Sequence, residues 1–241
     1  MGDNLAGVVI FFAFYAFIGW ILETISASIS ANRFINRGFL TGPFCPIYGF
    51  GAILIIQTYV LLGSISQTES ILLIASIGLS MLLTTILEYI TGYALEKIFY
   101  CKWWDYSKEF LNLHGRVCLK YSLLWGLLTY FLLLVVHPFS IKYFATVPIF
   151  AKYILMITLI IFFLFDTMYS VTEVLDLKRL LSVSYKIPIT KSYETILTYK
   201  RIFLAFPELY FFNIGKFNNE IRSFLHGKVE RIKIQIKSRL S

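Results

Sequence analysis

Three acidic side chains lie inside long apolar runs of this sequence: Glu23 in FIGWILETISAS, Glu88 in LTTILEYITGYALEK and Asp166 in IFFLFDTMYS. A carboxylate at membrane depth is costly, so such residues face a bundle interior or a partner and mark candidate functional sites. Two stretches between the runs carry matching chemistry. NRGFLTGPFCPIYGFG, residues 36–51, brings Arg37 and Tyr48. CKWWDYSKEFLNLHGRVCLKYSLLWG, residues 101–126, brings Asp105, Tyr106, Ser107, Asn112, His114 and Arg116. Arginine can clamp a carboxylate or phosphate with two parallel hydrogen bonds, and Tyr106 and Ser107 can hydrogen-bond either anion. Two carboxylates could then act as base and orienter beside a held anion. The patterns HExxH and GxSxG and any run of clustered histidines are missing. No residue is therefore assigned as catalytic, and no metal or cofactor is expected. The lone His114 reads as a surface or hydrogen-bonding residue.

The elements that must position these groups follow from composition. The chain is 58% hydrophobic and 15% charged over 241 residues, where a soluble domain is about half apolar and about a quarter charged. Its mean hydropathy is +0.72. Five runs reach the roughly 20 residues that cross a core of about 30 Å, over residues 5–25, 47–64, 71–95, 117–136 and 149–170. The expected fold is an all-α integral membrane protein of about five transmembrane helices in a domain over residues 1–172, followed by a basic helical tail over 173–241. Glu23, Glu88 and Asp166 each lie about 18 residues into helices 1, 3 and 5, or about 27 Å down at 1.5 Å per residue. Since spans alternate in direction, the three share one boundary of the hydrocarbon. Helices 2 and 4 start there and supply Tyr48, Ser122 and Trp125, with Arg37 and Arg116 at their front edges. Ion pairs are expected among Glu23, Glu88, Arg37 and Arg116, because a carboxylate at low dielectric is better paired than bare.

Helix 3 carries Ser76, Ser80, Thr84, Glu88, Gly92 and Glu96 at every fourth position. Such a row is a packing ridge, and small residues in it allow close approach in lipid. Helix 1 has the shorter row Tyr15, Gly19, Glu23 and Ala27, so helices 1 and 3 are expected to pack with Glu23 and Glu88 at one depth. Between helices 1 and 2, Gly42-Pro43 and Cys45-Pro46 break any helix before Ile47. Irregular backbone at membrane depth must be covered by protein or line a wet cavity. The stretch reads as a pressed-in loop that offers free amides and carbonyls beside the Glu/Arg cluster, with Gly49 and Gly51 admitting a neighbouring helix.

Basic residues crowd the connections after helices 1 and 3 and the end of the chain, where residues 177–241 hold thirteen Lys/Arg against four Glu. The positive-inside rule then places the N-terminus outside and the C-terminus inside, in the cell membrane as a multi-pass protein. The net charge of +8 points to anionic lipid headgroups at the tail and not to nucleic acid, whose motifs are missing. MGDN has no basic residue, so the first run reads as a span and not as a signal peptide. Cys45, Cys101 and Cys118 have unrelated spacings and read as packing residues. Trp103 and Trp104 suit the membrane interface. In the tail, RIFLAFPELYFF is too short to span and suits the interface. Ile221, Leu225, Val229, Ile232, Ile236 and Leu240 fall at helical spacing among basic residues, as in an amphipathic helix.

GWILE, NRGFLTGPFCPIYGFG, LEYITGYALEK, WWDYS, NLHGR and SLLWG resemble, in this order over residues 10–170, the motifs of a bacterial membrane family labelled putative ABC-transporter permease. The resemblance implies a permease-like transporter component with a separate ATPase, since no Walker motif is present. It adds weight to Glu23, Arg37, Tyr48, Glu88 and Glu96 and to Asp105, Tyr106, Asn112 and Arg116 as a substrate-binding set. His114 departs from the family pattern, which has a small polar residue there. The alternative is an intramembrane enzyme or binding protein for a lipid headgroup or lipid-linked substrate.

Overall fold

A computed structural model describes residues 5–65, 68–184 and 198–212. Its elements are α1 (Leu5–Ala31), α2 (Pro46–Gly63), α3 (Glu69–Phe99), β1 (Cys101–Lys102), α4 (Leu119–Phe131), α5 (His137–Thr146), α6 (Ile149–Ser184), α7 (Lys200–Ala205) and β2 (Tyr210–Phe211). A π-helical turn, Leu132–Val136, joins α4 to α5 without a break. Five helices are long and apolar enough to cross a membrane, the fourth being the continuous rod Leu119–Thr146. The protein is therefore an all-α, multi-pass membrane protein. No residue in the most apolar stretch of α6 is fully buried by protein. That surface suits lipid and would be an unusually large apolar patch in water.

Local chemistry explains the ends and joints. Pro46 stands in the first turn of α2, where its missing N–H costs nothing, and the Cys45 amide before it donates to Ala16 O of α1 at 2.9 Å. Tyr100 ends α3 in the left-handed conformation, φ 57°, returning its N–H to Glu96 O at 2.9 Å. The wide turn before α5 answers Pro138, which has no N–H to donate and whose ring crowds the carbonyl four residues back. Lys142, between the runs 117–136 and 149–170 read from the sequence, consequently lies inside α5, and only residues 147–148 link the fourth and fifth spans.

The packing order corrects one expectation. α2 lies between α1 and α3, α3 packs on α4, and α6 packs mainly on α1. The small-residue rows of α1 and α3 thus do not meet. On α1, Gly19 faces the Tyr48 ring of α2. On α3, Ser76, Ser80, Thr84, Glu88 and Gly92 are all buried, and Thr84 reaches Gly51 of α2 next to the Trp125 ring of α4. The row packs, but against α2 and α4.

The loop over residues 32–45 is also less free than expected. Asp166 of α6 accepts hydrogen bonds from the Thr41 amide at 3.1 Å and the Gly42 amide at 3.0 Å. Ser170 Oγ takes a second bond from the Thr41 amide. Arg201 Nη1 donates to the carbonyls of Gly38 and Leu40, and the Asn36 side chain bridges Gly38 N and Thr41 O. The carboxylate of Asp166 is thereby the anchor of this loop, not a free group. Asp166→Ala is expected to lower stability by about 2 kcal/mol, since hydrogen bonds to a charged acceptor contribute about that much. Asp166→Asn should cost less, because it keeps one acceptor. Thermal midpoints in detergent read both.

The described part of the tail belongs to the same core. β1 pairs antiparallel with β2, Cys101 opposite Phe211 and Lys102 opposite Tyr210. Ile202, Leu209 and Phe211 bury with Phe99, Trp103, Leu177 and Leu181 in one apolar cluster. Trp103, expected at the membrane interface, is only 4% exposed, because this segment covers it. α6 runs without interruption past residue 172 to Ser184. The proposed amphipathic residues Ile221, Leu225, Val229, Ile232, Ile236 and Leu240 lie outside the described residues.

Candidate functional site

The carboxylate ends of α1 and α3 are brought together through aromatic side chains of the helices between them. Tyr48, in the first turn of α2, donates its hydroxyl to Glu23 Oε1 at 2.6 Å. Its ring lies 5.4 Å from that of Trp125 on α4, centroid to centroid, and Trp125 Nε1 donates to Glu88 Oε2 at 3.2 Å. The Tyr106 side chain also interacts with the Glu88 carboxyl. Two acidic groups, from helices on either side of α2, are thus linked through the relay Glu23–Tyr48–Trp125–Glu88. Gly19 makes it possible: any side chain there would overlap the Tyr48 ring.

The arginines divide in a way the spacing does not reveal. Arg37 Nε lies 3.6 Å from Glu23 Oε2, with both side chains about one-third exposed. Arg116 does not reach Glu88. Its Nη2 is 2.5 Å and its Nε 3.1 Å from Glu96 Oε2, Nη1 donates to Tyr89 Oη at 3.1 Å, and its guanidinium lies 5.2 Å from the ring centres of Tyr89 and Tyr93. The hydrogen bonds it donates to the Glu96 carboxylate hold the guanidinium above its ordinary pKa. Every face of Arg116 is used, so the expected clamp on an external anion is closed. The expected pairing of Glu88 with an arginine is likewise corrected: among the described residues Glu88 has hydrogen-bond donors but no cationic partner.

A cavity of about 300 Å³ opens over this relay. Glu23, Arg37, Tyr48, Glu88 and Tyr106 line it, together with Trp103, Trp104, Tyr121 and Trp125. Ile47, Leu95, Leu124 and Leu128 add apolar wall, and Phe206, Pro207 and Glu208 form a rim from the tail. Tyr106 and Tyr121 stack at 4.5 Å with 21° between ring planes. Burial first, then the negative charge of Glu88, push the Tyr106 hydroxyl far above its ordinary pKa. It therefore remains a donor at any physiological pH.

Four of the nine candidates do not line this cavity. Glu96 and Arg116 pair behind Trp104, whose Nε1 donates to Arg116 O at 2.8 Å. Asp105 accepts from the Ser107 amide at 3.1 Å and from the Ser107 hydroxyl, and lies 3.5 Å from Lys102 Nζ. Its partial burial would raise its pKa, but the Ser107 hydrogen bonds and Lys102 outweigh this and hold it below the usual carboxylate range. Asn112 donates to Ser107 O and Glu109 O and accepts from Gly115 N at 3.2 Å. Gly115 has φ +70°, and a Cβ there would strike Asp105 and Ser107. These residues knot the loop that presents Trp104 and Tyr106 to the cavity. His114 touches Tyr89 Oη through Nδ1 at 3.1 Å on the exposed side. Cys45, Cys101 and Cys118 are free and buried, and burial pushes the Cys101 thiol up to about 12.

Sequence reasoning missed the rim residues Phe206, Pro207 and Glu208. The one signal available was that proline and glutamate interrupt an otherwise apolar run. Nothing in the sequence set Tyr121 of α4, which also lines the cavity, apart from its neighbours.

No curated protein and no solved structure matches this chain. The model of one family does, over residues 10–171, which takes in the loop before α2, the relay and every cavity-lining residue except those of the rim. With five spans and two-thirds of its length inside that match, the chain belongs to the putative ABC-transporter type IV family and is a transporter-like membrane protein.

Proposed function

We propose that the chain is the membrane component of a transporter, with its substrate held over Glu23, Arg37, Tyr48, Glu88 and Tyr106, and with ATP hydrolysed by a separate subunit. The observation that carries this reading is the cavity itself: about 300 Å³, walled by aromatic rings, with two carboxylates at membrane depth and a mouth at one end of the bundle. Protein does not keep carboxylates at such a depth without a use for them. Glu96, Asp105, Asn112 and Arg116 act in this reading as the scaffold of the loop that carries Trp104 and Tyr106. Basic residues at the cavity end, including Arg33, Arg37, Lys97 and Lys108, support an inside-facing mouth, with the protein in the cell membrane. An ATPase would then dock on the same side, and the basic residues beyond 212 would meet anionic lipid headgroups.

A second reading, a binding protein or enzyme for a lipid-borne headgroup, is favoured by one feature. Leu124 lines the cavity yet is 43% exposed on the outer face of α4, which would admit an acyl chain from the side.

Mass spectrometry of proteins and lipids that co-purify with the tagged full chain in mild detergent tests both. A near-stoichiometric ATPase that survives washing is the expected result. Absence of any ATPase, with a selectively retained lipid that is lost in Glu88→Gln, would overturn the transporter reading in favour of the second.

A further inference from the structure

The cavity is built for a charge of definite sign. We propose that it takes the ammonium head of an amphiphilic organic cation, an inference that rests on its being the binding site.

Its charged lining is Glu23, Glu88 and Glu208 against Arg37 alone. Arg37 is matched by Glu23 at 3.6 Å. Among the described residues, Glu88 and Glu208 have no cationic partner. Glu88 is 7% exposed and accepts from Trp125 Nε1, while Glu208 accepts from the Asp105 amide at 3.0 Å. A carboxyl buried with hydrogen bonds alone either takes up a proton or needs a cation beside it, and a bound ammonium head would supply that cation. The other arginines nearby cannot turn inward to hold an anion: Arg116 is consumed by Glu96 and Tyr89, and Arg201 by Glu173 at 2.6 Å.

The walls argue for an organic cation. Eight aromatic side chains, among them Tyr48, Trp104, Tyr106, Tyr121 and Trp125, line this one space. Their ring faces are electron-rich and attract an alkylammonium head without needing a hydrogen bond from it, as aromatic cages do. Among the described residues no three His, Cys, Asp or Glu converge as a metal site would require. The apolar part of the ligand has a path as well. Ile47, Leu95 and Leu128 continue the wall below the rings, and Leu124 opens it towards the lipid-facing side of α4.

The test is saturable binding to the full chain in dodecyl maltoside, read by intrinsic tryptophan fluorescence. Three of the four tryptophans lie on the cavity. The probes share one chain and differ in head: octyltrimethylammonium, octyl phosphate and octyl glucoside, each below its micelle concentration. Octyltrimethylammonium is expected to bind at least about tenfold tighter than the other two, and Glu88→Gln and Trp125→Leu to weaken it by about tenfold each. Glu208→Gln, on an exposed rim residue outside the spans, keeps the hydrogen-bond acceptor and removes the charge, so it should weaken binding severalfold even if the buried variants fail to fold. Equal or tighter binding of octyl phosphate, with the same sensitivity to these variants, would overturn the cation and leave the substrate site standing. Octyltrimethylammonium binding indifferent to all three variants would mean partition into the micelle and overturn the proposal. No saturable binding of any probe would overturn both readings.

Discussion

Glu96→Ala is expected to destabilise the protein by about 3 kcal/mol, because it strands the Arg116 guanidinium in a site with little water. The two side chains are 12% and 16% exposed, and removing one partner of such a pair costs far more than the pair contributes, since an uncompensated buried charge remains. The change should propagate. Trp104 hydrogen-bonds the Arg116 carbonyl, and a Cβ placed on Gly92 of α3 would stand 3.2 Å from the Trp104 ring and 3.5 Å from the Arg116 side chain. Loss of the pair therefore loosens the loop carrying Trp104 and Tyr106, and ligand affinity should fall together with stability. Glu96→Gln should be milder, because the amide oxygen still accepts. The double variant Glu96→Ala with Arg116→Met should recover much of the loss. Thermal unfolding in detergent, followed by light scattering or a thiol-reactive probe, distinguishes these outcomes. If the double variant is as unstable as the sum of the singles, the pair does not work as a unit.

Gly49→Ala is expected to cost about 2 kcal/mol, while Gly78→Ala is neutral or stabilising. A Cβ at Gly49 would stand 2.7 Å from the Phe12 carbonyl oxygen and equally close to the Phe12 ring. Rings can turn, but a carbonyl inside α1 cannot, so α1 and α2 must separate and the overpacking cost of about 1–3 kcal/mol applies. Gly78 on α3 has nothing within 4 Å of such a Cβ, and alanine is the better helix former. The functional readout should follow the same order. The Tyr48–Glu23 hydrogen bond, at 2.6 Å, spans the α1–α2 interface that Gly49 keeps close. Midpoints for the two variants, measured side by side, check the contrast. Equal effects would mean that the close approach of α1 to α2 is not under strain at this point.

Much of the architecture was legible in advance, for a plain reason. Hydropathy is summed residue by residue over about 20 positions, so it survives ignorance of neighbours. The span order and the common depth of Glu23, Glu88 and Asp166 follow from it. The boundaries were less legible than the order, since the fourth run was read only to residue 136. Pro138 does not end the fourth span, because a π-turn absorbs the lost hydrogen bond. α1 continues to Ala31 and α6 to Ser184, since a helix need not end where the apolar run does.

Partner choice was not legible. Glu88, Glu96, Arg37 and Arg116 are all within reach of one boundary, and spacing allows several pairings. Rotation and crossing of the helices choose among them: α2 stands between α1 and α3, which turns Glu88 towards Trp125 and leaves Glu96 for Arg116. The break in the helix before α2 was readable from Gly42, Pro43, Cys45 and Pro46, but the use of the loop's amides was not. Their acceptor, Asp166, is more than 120 residues away in the sequence. A separation of 103 residues likewise hid the rim, where Glu208 accepts from the Asp105 amide.

By itself, then, the sequence determined a five-span helical membrane protein with its acidic and basic groups at one boundary, because those properties depend on local composition and on the fixed rise of a helix. Only the tertiary structure decided which carboxylates keep a cation and which face an aromatic cavity without one, because that depends on how neighbouring helices rotate to bury their small-residue rows.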